Sequence, residues 1–80
     1  MLIQMNAAQC RAARALLDWT QPRLADGAGV GLSTVVDFEK GRRAVSAETI
    51  GKMSSALQAA GIEFTNGASP GGVRLAVEGS

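Results

Sequence analysis

The chain has no histidine and no tyrosine, and Cys10 is its only cysteine among 80 residues. A lone cysteine forms no disulfide within the chain, and with no histidine beside it a structural metal site is not expected. General acid–base chemistry at neutral pH loses its usual side chain. No glycine-rich phosphate loop sits between a strand and a helix, and Gly71-Gly72 falls in a loop with no helix after it. The carboxylates are scattered and read as surface charges. An enzyme is therefore not expected, nor is any cofactor.

Other shortages narrow the class further. No apolar run approaches the roughly 18 residues of a membrane span. The opening Met-Leu-Ile-Gln-Met lacks the basic segment and long apolar stretch of a signal peptide. The one cysteine fits a reducing cytoplasm, so a cytoplasmic location is expected. Either Met1 or Met5 fits as the start. Net charge is only +1, so the chain does not advertise nucleic acid by bulk charge. The distribution says more. Residues 1–45 hold six Lys/Arg against four Asp/Glu, and residues 46–80 hold two against three. The dense basic cluster is Lys40, Arg42 and Arg43, which places any nucleic-acid surface in the first half.

What the sequence does contain is a series of short helices. The first is expected over about 7–18, with Asn6 as N-cap and Gln9 three residues on, a capping-box start. Cys10, Ala13, Leu16 and Leu17 fall on one face. The second is expected over about 21–28, capped by Thr20, with Pro22 tolerated in the first turn and Gly29 leaving the helix. The third runs over about 32–40 and stops at Gly41. The fourth runs over about 47–60, from the cap Ser46 to Gly61, with Ile50, Met53 and Leu57 as its buried stripe. After Gly61 the apolar period becomes two: Ile62 and Phe64, then Val73, Leu75 and Val77. This reads as a small hairpin over 62–77, whose loop, 66–72, is flexible by composition. A two-stranded hairpin is marginal alone, so it must pack on the helices or pair with a second subunit.

The informative stretch is Trp19 to Gly41. Two short helices meet at a tight glycine-containing turn. Ala25 is small where they cross, and Val30 and Val35 lock the second helix to the first. This is the plan of a helix-turn-helix. The stretch resembles the Xre family, the lambda-repressor-like DNA-binding domains. Arg14, then Thr20-Gln21 with Leu24-Ala25, then Gly29-Val30, Ser33-Thr34 and Phe38-Glu39 with Gly41 carry that resemblance, which covers about residues 6–61. It implies a mostly α fold, a four- to five-helix lambda-repressor-like domain over 6–61, with the hairpin over 62–77 as a candidate dimerisation element.

The resemblance also implies roles, residue by residue. Leu32, Ser33, Val36 and Asp37 stand at or near the base-reading face of the recognition helix. Gln21 matches a phosphate-contacting glutamine, and its amide is suited to steadying a base-reading side chain. Thr34, Lys40, Arg42 and Arg43 are the other expected phosphate contacts. Arg14 and Glu39 resemble a partly buried ion pair between the first and third helices. Trp19 is read as a half-buried anchor and Cys10 as a small buried hydrophobe. The implied activity is sequence-specific transcriptional regulation, as a homodimeric repressor or autoregulator on a palindromic operator in double-stranded DNA. The sequence departs from the family in lacking a hydrogen-bonding side chain at Leu32, in the flexible Gly31, in Pro22 and Arg23 after the glutamine, and in the negative Asp37. Leu32, with the modest net charge and the apolar hairpin, favours a second reading, a protein-binding module of the same fold, such as an antitoxin or anti-activator acting through a partner protein.

Overall fold

The computed structural model describes residues 5–42, 44–65 and 72–75. In chain order it has α1 (Ala7–Leu17), α2 (Gln21–Ala28), α3 (Leu32–Lys40), α4 (Ala47–Ala59), β1 (Ile62–Phe64) and β2 (Val73–Leu75). Four helices, not five, are found among the described residues.

Three of the four helices start where a capping side chain accepts from an N–H of the first turn. Asn6 Oδ1 accepts the Gln9 N–H at 2.7 Å, and Gln9 Oε1 accepts the Asn6 N–H at 3.0 Å, which closes a reciprocal capping box. Thr20 Oγ1 caps α2 through the Arg23 N–H and Ser46 Oγ caps α4 through the Thr49 N–H, each at 3.2 Å. Gly31 heads α3 and offers no side-chain cap.

Three helices end the same way. Asp18, Gly29 and Gly41 take left-handed conformations with φ of 57°, 70° and 68°. The next N–H then reaches back five residues: Trp19 to Arg14 O at 2.9 Å, Val30 to Ala25 O at 3.0 Å, Arg42 to Asp37 O at 2.9 Å. This is the Schellman arrangement. Glycine takes the conformation without a Cβ penalty at two of these ends, and an aspartate takes it at the third.

Leu24, Val35, Met53 and Leu57 are fully buried, with Cys10 and Ala13 of α1 and Ile62 of β1 around them. Helix α2 packs on α3 and α4, α1 packs on α3 and β2, and β1 packs on α4. The strands are antiparallel, pairing Ile62 with Leu75, Glu63 with Arg74 and Phe64 with Val73. The hairpin thus lies on the helices: Phe64 and Val73 pack on the core, and buried Gln9 donates from Nε2 to Gly72 O at 3.1 Å.

Leu16 does not join the buried face expected of α1, and it is 44% exposed. One full turn beyond Ala13 brings Leu17, which packs against the core, and Leu16 lies about 100° round the helix from it. Helices α1 and α4 each end one residue short of expectation. Of the expected hairpin, residues 66–71, 76 and 77 lie outside the described residues.

Candidate nucleic-acid interface

Helix α3 has an inward and an outward side. Val35 and Glu39, four residues apart, are buried. Leu32 and Ser33, in the first turn, are exposed, Leu32 by 45%. Thr34, Val36 and Asp37 are half-buried. Asp37 and Thr34 each have an interaction within the protein. Lys40, the last residue of α3, and Arg42, just past its end, are exposed, and Arg43 lies outside the described residues.

Glu39 is the polar centre on the inward side. Its side chain is 2% exposed, yet it is charged. Arg14 grips both carboxylate oxygens, from Nη2 to Oε1 and from Nε to Oε2, each at 2.7 Å. Arg14 Nη1 also donates to Trp19 O at 3.0 Å. The Cys10 thiol donates to Oε2 at 3.0 Å, and Gln21 Nε2 donates to Oε1 at 3.1 Å. Arg11 donates to the Glu39 carbonyl oxygen. Cys10 and Arg14 stand four apart on α1, so both reach one point on α3.

These contacts set the protonation states. Burial alone would raise the Glu39 carboxyl, but hydrogen bonds from Arg14, Cys10 and Gln21, with the Arg14 charge, outweigh it and hold the group below its ordinary value. Burial, then the hydrogen bond to Glu39 and its negative charge, push the Cys10 thiol well up. Cys10 is therefore a neutral hydrogen-bond donor as well as a small buried side chain. The hydrogen bond to Glu39 also raises Arg14, against the opposing effect of burial.

The expected site residues thus divide. Leu32, Ser33, Lys40 and Arg42 are on the surface; Val36, Asp37 and Thr34 are half-buried beside it; Arg14 and Glu39 meet inside. Gln21 joins the two groups, because it is half-buried at the start of α2 with its amide on Glu39. Sequence reasoning missed the Cys10 and Arg11 contacts and placed no partner on Glu39 besides Arg14. The four-residue spacing of Cys10 and Arg14 was the available signal. It also missed that the Arg23 guanidinium lies 4.9 Å from the centre of the Trp19 ring.

A separate groove of about 570 Å³ runs between α2 and α4, lined by Gly27, Ala28, Glu48, Gly51, Lys52, Ser55 and Ala56. No residue of α3 lines it, so it is not part of the α3 surface. Among the described residues no cluster of acidic residues and cysteine suits a metal ion, and no helix is long and apolar enough to cross a membrane.

A family model described as helix-turn-helix matches residues 11–63. That span takes in α2, the turn and α3 whole, with most of α1, all of α4 and the first residues of β1. No match is found among curated proteins.

Proposed function

Because the chain belongs to the helix-turn-helix family of the Xre, lambda-repressor-like type, we propose that it is a sequence-specific DNA-binding transcriptional regulator, acting as a dimeric repressor or autoregulator. The observation that carries this reading is the two-sidedness of α3. Val35 and Glu39 anchor one side, while Leu32 and Ser33 stand exposed in its first turn, with Lys40 as its last residue and Arg42 just beyond its end. An α-helix fits a major groove about 12 Å wide. Ser33 donates or accepts at a base edge, Leu32 meets a thymine methyl, and Val36 and Asp37 flank them. Lys40, Arg42 and Arg43 meet phosphates, with Thr34 and Gln21 as further backbone contacts.

One such domain reads few base pairs. Two related by symmetry read half-sites about 34–36 Å apart. The hairpin is the proposed dimer element, because each of its strands has an edge that no other described strand covers. The fold is compatible with a soluble protein working in the cytoplasm.

The Arg42→Ala, Arg43→Ala double variant tests the placement of the DNA surface. It should weaken binding to every duplex and reduce the slope of log affinity against log salt by about two. An unchanged slope places the phosphates elsewhere.

A further inference from the structure

We propose that Glu39 is a positioning residue for Gln21, and that the buried Arg14–Glu39–Cys10 network holds the Gln21 amide ready for DNA. This inference rests on the DNA-binding reading above. Glu39 has two oxygens and both are shared. Arg14 takes one N–H bond to each, Cys10 adds a donor to Oε2, and Gln21 adds a donor to Oε1. An ionised carboxylate only accepts hydrogen bonds. The amide nitrogen of Gln21 must therefore face Glu39, and the orientation of the amide is fixed by chemistry.

The consequence for recognition follows from counting bonds. A glutamine amide has two N–H donors and one carbonyl oxygen. One N–H is committed to Glu39, which leaves one donor and one acceptor for a ligand. The donor suits a phosphate oxygen, and the acceptor suits a neighbouring side chain or a base amino group. A free glutamine loses rotamer freedom when it binds, whereas one held in place beforehand loses less. Cys10 contributes indirectly: with the thiol and Arg14 Nε both on Oε2, the carboxylate is held at that end while Oε1 meets Gln21. The thiol is fully buried and neutral, so it acts as a donor and not as a nucleophile.

The test has two arms. In the free protein, NMR reads the Gln21 side-chain amide protons. One of them should exchange slowly and resonate apart from those of exposed Gln58, and Glu39→Gln should remove that difference. Gln21 signals indistinguishable from those of Gln58 overturn the proposal. In the second arm, a synthetic operator duplex is titrated by anisotropy. Gln21→Met should lower affinity about 5- to 10-fold, the scale of one ordinary lost hydrogen bond. Glu39→Gln should lower it about 3- to 10-fold in the parent protein, and by less than about twofold in the Gln21→Met background. Additive losses overturn the proposal. If Glu39→Gln does not fold, Cys10→Ala replaces it, with a smaller loss that Gln21→Met likewise abolishes. A parent protein that binds no duplex overturns the DNA-binding reading and this role with it. Binding that is intact in Gln21→Met overturns this inference alone.

Discussion

Removing Arg14 leaves the Glu39 carboxylate buried with only Cys10 and Gln21 to hold it. Arg14→Ala should therefore cost about 3–5 kcal/mol, as broken buried ion pairs do, measured by urea unfolding at pH 7. Arg14→Lys should recover only part of that loss, because an ammonium lacks the fork that holds Oε1 and Oε2 together. The pH dependence follows from the sign of the Glu39 shift. Its folded value lies below the ordinary 4.5, so its stabilisation is complete above about that pH and is lost as the pH falls through the folded value. The melting temperature of the parent should drop more steeply between pH 5 and pH 3 than that of Glu39→Gln, which starts lower but has nothing there to titrate. Equal slopes would remove Glu39 from the explanation of acid unfolding. The raised Cys10 gives the opposite window: its stabilisation is whole below its ordinary 9.0 and declines as the pH rises beyond it. The family resemblance pointed to Arg14 with Glu39, but nothing in Cys10 or Gln21 taken singly announced a shared carboxylate. The four-residue spacing of Cys10 and Arg14 puts both on one face of α1, but their meeting with Gln21 on Glu39 depends on how α1, α2 and α3 cross.

The helix ends show which elements were legible and why. Asn6 with Gln9, Thr20 and Ser46 mark three starts, and Gly29 and Gly41 mark two ends, because capping acts within a few residues of chain. The hairpin was legible from its period of two. Leu16 was not, because a helical stripe has edges and only packing decides which edge residue is covered. The base-reading and phosphate roles remain assignments by resemblance, whereas the exposure of Leu32, Ser33, Lys40 and Arg42 is a property of the fold. Two end positions are open to improvement. Asp18 is the only described non-glycine residue with positive φ, and it puts a negative charge at a helix C-terminus. Asp18→Gly should stabilise by about 0.5–1 kcal/mol. Gly31 has φ of −71°, which any residue adopts. A Cβ there meets Thr34 Oγ1 at 3.8 Å and Ser33 Oγ at 3.9 Å, ordinary contacts. Gly31→Ser should add a cap and restrict the unfolded chain, for about 0.5–1 kcal/mol. Thermal melts of both variants check this, and a lower melting temperature in either would show that its end is not strained or uncapped as described.

The whole molecule is thin, and its hairpin completes the core. Ile62 is buried, and Phe64 and Val73 cover the helices beside it. A chain ending at Gly61 should lose stability as well as any hairpin-mediated pairing. Its mass in solution, measured on fractions that remain folded, separates the two: a fall from dimer to monomer supports the hairpin as the dimer element, and an unchanged mass removes it from that role. At this scale the central claim is that the surface around α3 reads DNA. The most direct measurement is fluorescence anisotropy of the full chain on a duplex from upstream of its own gene, beside a scrambled duplex, at two salt concentrations. Tight binding to the first that weakens steeply with salt, with much weaker binding to the second, is the expected result. Equal binding to both would reduce the surface to a generic basic patch. Binding that does not respond to salt would contradict the phosphate contacts assigned to Lys40, Arg42 and Arg43.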